Sequence, residues 1–259
     1  MTPVPYSVKT AGITARRATG ESMRHIEEAV RSTPVMHETD VLVVGGGPGG
    51  LAAALAASRA GARSTLVDRY GCFGGVITQV GVDTLAWYRH EKTVEAGGIG
   101  LEFERRATEM GAATPDVQSD SHALDSELFK VVADTLVREA GVTPLLHCLV
   151  TEPIVEDGRI RGVVTESKSG RRAILAGRVV DATGDADVAF RAGAPCHTEP
   201  PSSGMGVTVM FSCSGVDKAR FLDHVAESAP TYGDWGRCWS VRTDGKEDGL
   251  FSPYLQEPF

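Results

Sequence analysis

The segment Asp40-Val41-Leu42-Val43-Val44-Gly45-Gly46-Gly47-Pro48-Gly49-Gly50 restricts this chain more than any other. Residues 41–44 are a continuous β-rich run, the pattern of a strand covered on both faces of a parallel sheet. Gly45, Gly47 and Gly50 then interrupt the run in G-x-G-x-x-G spacing. Residues 51–57, rich in leucine and alanine, form a strong helix expected to end near Gly61, and residues 64–68 return as a second strand. Together they read as one βαβ unit of about 30 residues. The spacing has a chemical reading. Gly45 makes the tight turn, Gly47 lets the backbone approach a pyrophosphate, and Gly50 allows close packing of helix on strand. The helix N-terminus offers unpaired N–H groups to an anion. Asp68, 23 residues after Gly45, is placed to accept hydrogen bonds from a ribose diol. A glycine-rich turn in a nucleotide-free protein would account for the glycines, but not for strand, helix and acid together.

Beyond this unit, residues 97–110 and 125–139 read as amphipathic helices, the second with Leu128, Val132 and Leu136 on one stripe and Gly141 past its end. Between 145 and 182 the period changes to two. Short strands are expected over 145–150, 152–156, 160–166, 172–175 and 178–181, with turns at Asp157-Gly158 and Ser169-Gly170. A new alternation over 207–213 predicts a strand in another sheet, after a boundary near 196–204 where Pro195, Pro200 and Pro201 gather. The expected organisation is an N-terminal arm (1–36), a nucleotide-binding domain (37–195) and a partial substrate or cap domain (196–259). Within the arm, Met23, Ile26 and Val30 stand at helical spacing and suggest a short surface helix over 21–31.

Composition narrows the function classes. The chain has 259 residues, 42% hydrophobic and 23% charged, which fits a globular protein with a sizeable core. A net charge of −8 repels polyanions, so nucleic acid is not an expected partner. The longest uncharged run, 41–58, is broken by the glycine turn, so no membrane helix is expected. Arg16-Arg17 is not followed by an apolar stretch, as an export signal would require. Five cysteines without a C-x-x-C pair fit reduced thiols and a cytoplasmic protein.

The residues after Asp68 bear on which dinucleotide is bound. A pure NAD domain continues with further βα units at short intervals, whereas here Gly71-Cys72-Phe73-Gly74-Gly75 makes a second glycine loop and a β-meander comes later. That order favours FAD. In Val179-Val180-Asp181-Ala182-Thr183-Gly184-Asp185-Ala186-Asp187 another strand ends in a glycine turn with acidic residues, a second place where backbone passes close to a ligand.

These three blocks, with Arg191-Ala192-Gly193-Ala194, resemble the FAD-dependent oxidoreductase family with a glutathione-reductase-like, two-dinucleotide-binding-domain fold. The likeness runs from about residue 38 to 217. It implies an α/β fold: a Rossmann-like FAD/NAD(P)-binding domain with a parallel sheet, a βαβ unit and an antiparallel β-meander, plus the start of a second, β-rich substrate domain. It also implies pyrophosphate contact at Gly45, Gly47, Pro48, Gly49 and Gly50, and adenosine ribose contact at Asp68 and Arg69. By the same likeness Gly74 and Gly75 run along the ribityl chain, Val150 meets adenine through its backbone, and Ala182, Thr183, Gly184 and Asp185 close over the cofactor. The family's third FAD-contacting segment does not appear before Phe259, so either a truncated C-terminus or an FAD held by an incomplete site is expected.

The remaining motifs carry less. Cys72 beside the glycine loop could exchange electrons with a flavin, but it lacks the paired cysteine of disulfide reductases and reads first as a small buried side chain. Cys196-His197 are adjacent and point apart on an extended chain, so no metal is expected. Trp87-Tyr88-Arg89-His90 reads first as a surface loop and second as a wall orienting an anionic substrate. His122, His147 and His224 have no visible partner in sequence, and no catalytic base is named. The expected function is hydride transfer between a small-molecule substrate and bound FAD. Two alternatives stand beside it: a non-catalytic or partner-requiring FAD/ADP-binding module, completed by a homo-oligomer or a missing C-terminal portion, and an NAD-dependent dehydrogenase.

Overall fold

The β-rich run at 41–44 is the inner half of a longer strand, β1 (Val35–Val44). It leads through the glycine turn into α1 (Pro48–Arg59) and back into β2 (Ser64–Val67), which pairs parallel to β1 from Val41↔Ser64 to Val44↔Val67. The computed structural model describes residues 25–83, 97–116, 121–197, 214–217, 219–220, 239–242 and 252–255. After β2 come a single π-helical turn (Val76–Val80), α2 (Ile99–Glu109), a small antiparallel ribbon of β3 (Ala113–Asp116) and β4 (Ser121–Leu124), and α3 (Ser126–Glu139). The chain re-enters the sheet as β5 (Thr143–Leu145) and continues through β6 (Leu149–Glu156), β7 (Arg159–Ser167) and β8 (Gly170–Asp181) to the short α4 (Asp187–Arg191). The six-stranded order is β5-β2-β1-β8-β7-β6. Pairing is parallel from β5 to β8 and antiparallel across β7 and β6. The fold is therefore α/β, a parallel Rossmann-like sheet with one βαβ unit whose far side is an antiparallel meander.

The period-2 alternation of β1 divides its side chains between two cores. Val43 and Leu66 join Leu51, Leu55, Phe103, Phe129, Val132 and Leu136 under α1, α2 and α3. Leu42, Val44 and Val67 join Val163, Ile174 and Val188 in a second cluster. Phe103 and Phe129 meet edge to face, with centroids 6.3 Å apart. Asp125 caps α3 by accepting from the backbone N–H groups of Glu127 and Leu128, both at 2.9 Å. On the outer surface Arg59 donates two hydrogen bonds to Glu102, tying α1 to α2, and Arg106 ties α2 to α3 through a hydrogen bond and an ion pair to Glu139, each at 2.8 Å.

Four expectations need correction. The inward stripe of α3 is Phe129, Val132, Ala133, Leu136 and Val137, and Leu128 is exposed. The two strands expected over 172–175 and 178–181 are one continuous β8, and the strand expected over 145–150 is divided between β5 and β6. Residues 25–31 form no helix. Ile26 is 89% exposed, so the helical spacing there finds no surface to bury against, and a helix that short is unstable alone.

Backbone contacts divide the chain into two units, Met1–Val209 and Met210–Phe259. In the second, β9 (Trp239–Arg242) and β10 (Ser252–Leu255) pair antiparallel, from Ser252↔Arg242 to Leu255↔Trp239. The strand expected over 207–213, the aromatic cluster at 87–90 and His224 lie outside the described residues. Among the described residues no helix is long and apolar enough to cross a membrane.

Candidate dinucleotide site

A cavity of about 760 Å³ opens at the carboxyl ends of the parallel strands, lined by Val44, Val67 and Asp181, the last residues of β1, β2 and β8. β1 is flanked by both other strands, so the chain crosses in opposite directions on either side of it. This is where open α/β sheets form a crevice. The volume lies within the range of small-molecule and cofactor pockets.

The glycine turn builds one wall. Gly45 has φ +102°, and a Cβ there would lie 2.3 Å from the Ala182 carbonyl oxygen. At Gly50 a Cβ would lie 1.7 Å from the Gly45 carbonyl oxygen, so α1 packs on the turn only through glycine. Gly46, which the fingerprint leaves unspecified, is equally confined, with Phe73 at 2.5 Å and an Asp68 carboxylate oxygen at 2.9 Å from its would-be Cβ. Gly47 is different. Its backbone is extended (φ −69°, ψ −178°), and its Cβ would meet only the Gly75 Cα, at 3.8 Å. Gly49 has no neighbour within 4 Å of such an atom. The packing of the described residues thus leaves space beside both, at a helix N-terminus that none of their side chains caps. With the helix dipole pointing outward there, the arrangement fits an anionic ligand pressed against the backbone.

Asp68 lines the cavity beside the glycine turn and is 8% exposed. One of its oxygens accepts from Gly46 N–H at 2.5 Å and the other from Tyr70 N–H at 2.7 Å. A carboxylate has about four lone-pair sites, so two remain for a ligand. The Arg69 guanidinium lies 4.8 Å from the centroid of the Tyr70 ring. The third wall is the β8–α4 turn. Asp181 Oδ1 accepts from Thr183 N–H and from its hydroxyl, and Oδ2 accepts from Ala189 N–H at 2.8 Å. Thr183 Oγ1 in turn accepts from Asp187 N–H at 2.9 Å. This web holds Ala186 at φ +56°, a left-handed conformation that a non-glycine residue seldom keeps in a free turn, while Gly184 takes φ +93° without strain.

Of the fourteen expected cofactor residues, Gly45, Gly47, Pro48, Gly49, Asp68, Arg69, Gly75, Val150, Ala182, Thr183, Gly184 and Asp185 line this one cavity. Gly50 and Gly74 stand behind it. Gly50 packs helix on turn, and Gly74 donates its N–H to the Gly46 carbonyl at 2.8 Å, clamping the second glycine loop to the first. The sequence reading missed Tyr70, Val76, Gln79, Val80, Cys148, Leu149, Glu152, Pro153 and Arg191, all of which line the cavity. Those near 76–80 and 148–153 neighbour the expected residues Gly75 and Val150, the one signal that could have found them. Burial pushes the Cys148 thiol up. The Arg191 guanidinium donates to the Thr151 carbonyl. Carboxylates outnumber guanidiniums on the lining, so an anion is favoured at the α1 N-terminus rather than by general charge. His122, within 3.1 Å of a Glu104 carboxylate oxygen, and His147, exposed, stand outside the lining, and Cys196 is also exposed.

The chain is similar to thiamine thiazole synthase of Methanococcus aeolicus, 29% identical over 168 residues, covering 59% of this chain and 57% of that one. It is also similar to thiamine thiazole synthase of Saccharolobus islandicus, 28% identical over 174 residues, with 63% and 61% covered. The chain therefore spans less than two thirds of the length of these relatives. Among solved structures, a geranylgeranyl bacteriochlorophyll reductase-like protein of Thermoplasma acidophilum superposes with a TM-score of 0.48 at 20% identity, covering 61% of this chain and 42% of that one. The family model described as FAD dependent oxidoreductase matches residues 40–251. By that match, which takes in the glycine turn, Asp68 and the β8–α4 turn, the chain belongs to the FAD dependent oxidoreductase family, whose cofactor is FAD.

Proposed function

We propose that this chain is an FAD-dependent oxidoreductase that passes a hydride between a small-molecule substrate and a flavin bound at the glycine turn. The observation that carries the reading is the convergence on one cavity of an uncapped helix N-terminus, a glycine whose Cβ direction is open, and a buried carboxylate. In this reading the arrangement is glutathione-reductase-like. The turn Gly45-Gly46-Gly47-Pro48-Gly49-Gly50 receives the pyrophosphate, Asp68 and Arg69 the adenosine ribose, and the Val150 backbone the adenine. Gly74 and Gly75 border the ribityl chain, and Ala182, Thr183, Gly184 and Asp185 close over the cofactor. FAD supplies two-electron chemistry when bound. The protein's part is to hold the anion on oriented N–H groups, to fix the ribose on an acid already locked by two backbone donors, and to keep water away with Val76, Val80 and Leu149. Residues 37–195 serve as the FAD-binding domain, and 196–259 belong to a substrate or cap domain.

The test is to load the purified chain with FAD, remove the excess by gel filtration and record the visible spectrum, with and without excess NAD in the mixture. One FAD retained per chain, undisplaced by NAD, is the expected result. A colourless chain that retains NAD instead would refute the reading. Flavin retained only on adding a partner chain or a longer form would assign the protein to the partner-requiring class.

A further inference from the structure

The π-helical turn Val76–Val80 forms a wall of the cavity through Val76, Gln79 and Val80, while Ile77 and Thr78 point into the core and are buried. Such single π turns occur often at functional sites. This one is pinned hard. Gly74 donates to Gly46, a Cβ at Gly75 would lie 2.6 Å from the Gly47 Cα, and glycines at φ +54° and φ +79° bracket the turn. Its wall presents one polar side chain between two valines, and that side chain is already oriented. The Thr78 hydroxyl donates to the Phe73 carbonyl at 2.8 Å, which leaves Thr78 Oγ1 as an acceptor facing the Cys72 thiol at 4.0 Å. Cys72 Sγ accepts from the Gln79 Nε2 amide at 2.7 Å. The amide thus rests on the thiol, and the thiol lies in contact with a hydroxyl that is itself held by a carbonyl. Among the described residues none donates to the Gln79 carbonyl oxygen Oε1, and Gln79 lines the cavity.

Resting on the proposed FAD site, we infer that Gln79 is a ligand-binding residue whose Oε1 accepts a hydrogen bond from a hydroxyl or ring N–H of FAD beyond its pyrophosphate, and that Cys72 is the positioning residue that sets the amide. The role of Cys72 is then neither disulfide exchange nor mere filling of space. ADP distinguishes the two ends of the cofactor, because it carries the pyrophosphate and adenosine but lacks the polyol chain and flavin ring.

The experiment titrates FAD and ADP into the full chain and its Gln79→Leu, Cys72→Ala, Cys72→Ser, Gly47→Ala and Gln79→Leu/Cys72→Ala variants, with thermal unfolding of each as a control. Loss of one neutral hydrogen bond predicts that Gln79→Leu weakens FAD about three- to ten-fold and leaves ADP unchanged. Cys72→Ala weakens FAD by a smaller factor, Cys72→Ser restores it because a hydroxyl can accept from the amide as the sulfur does, and the double variant is no weaker than Gln79→Leu alone. Gln79→Leu with wild-type FAD affinity, or with ADP weakened equally, overturns the inference, as does Cys72→Ser behaving like Cys72→Ala. Gly47→Ala reports on the underlying site: retained affinity there for both ligands overturns the FAD reading itself, whereas loss of both beside an unaffected Gln79→Leu overturns only the role of Gln79.

Discussion

Gly47 and Gly50 belong to one fingerprint, yet substituting each with alanine has opposite consequences. In Gly50→Ala the new Cβ would stand 1.7 Å from the Gly45 carbonyl oxygen and 3.3 Å from the Ala182 Cβ, while ordinary contact begins near 3.4 Å. Relief requires moving α1 off the turn by well over an ångström, because the obstacle is backbone and cannot rotate away. Overpacking of this kind costs about 1–3 kcal/mol, and a backbone obstacle puts the expected loss at the upper end. In Gly47→Ala the nearest atom is at 3.8 Å and the backbone angles suit any residue. Losing glycine at a helix N-cap costs up to about 1 kcal/mol, and the stiffer unfolded chain returns about 0.4–1 kcal/mol, so stability changes little. The new methyl group instead occupies the space where a pyrophosphate would meet the N–H groups of the turn. Displacing one or two charge-assisted hydrogen bonds, each about 1.5–3 kcal/mol, weakens binding by roughly ten-fold to several hundred-fold or more. Urea unfolding and FAD titration by flavin fluorescence read the two effects separately. A Gly50→Ala chain with the wild-type urea midpoint, or a stable Gly47→Ala chain with wild-type FAD affinity, would refute the division of roles.

Three further outcomes are expected. Asp68→Asn leaves one of the Gly46 and Tyr70 N–H groups without its acceptor in a nearly buried place, so the urea midpoint falls by the equivalent of about 1–3 kcal/mol and FAD affinity drops with it. Hydrogen bonds from the Arg59 guanidinium hold Glu102 below the usual carboxylate range. The stability linked to that lowered pKa is present above the ordinary value of about 4.3 and fades as pH falls through the lowered one, so Glu102→Gln flattens the acid side of the stability-pH curve. Because burial raises the Cys148 thiol, iodoacetamide at pH near 8 labels it more slowly than exposed Cys196, and bound FAD slows it further, as peptide mass mapping would read.

What the sequence made legible was local. A strand, a glycine turn and a helix in immediate succession are each specified by neighbours in the chain, which is why β1, α1 and β2 and the acid at 68 could be read directly. The features that escaped depend on partners far away. The outer half of β1, Val35-Met36-His37-Glu38-Thr39, does not alternate apolar with polar side chains and gives no strand pattern, yet it is held by parallel pairing with β8 from Val35↔Ala173 to Thr39↔Ala176. Gly177 reads as a break between two strands. In the fold it lies within one strand, where a Cβ would come 3.0 Å from the Asp40 carbonyl oxygen of β1, so it marks a close approach of backbones. Pro144 argues against a strand over 143–145 and is tolerated because β5 lies at the sheet edge. Residues 76–80, Val-Ile-Thr-Gln-Val, would pass for a strand by composition, and only the clamps at Gly74 and Gly75 wind them into a π turn.

The candidate site shows the same division within a single motif. Read as a string, the glycines of 45–50 are alike, and the position between the first two fingerprint glycines carries no requirement. In space, Gly45, Gly46 and Gly50 are demanded by the protein: by the Ala182 carbonyl, by Phe73 and Asp68, and by the turn itself. Gly47 and Gly49 are demanded by nothing among the described residues, since there each has room for a side chain. A glycine that the fold needs is accounted for by the fold. One that the fold does not need, at the uncapped end of a helix facing a cavity, is accounted for by something that enters the cavity, and the anionic chemistry of that terminus says which part of the visitor it meets.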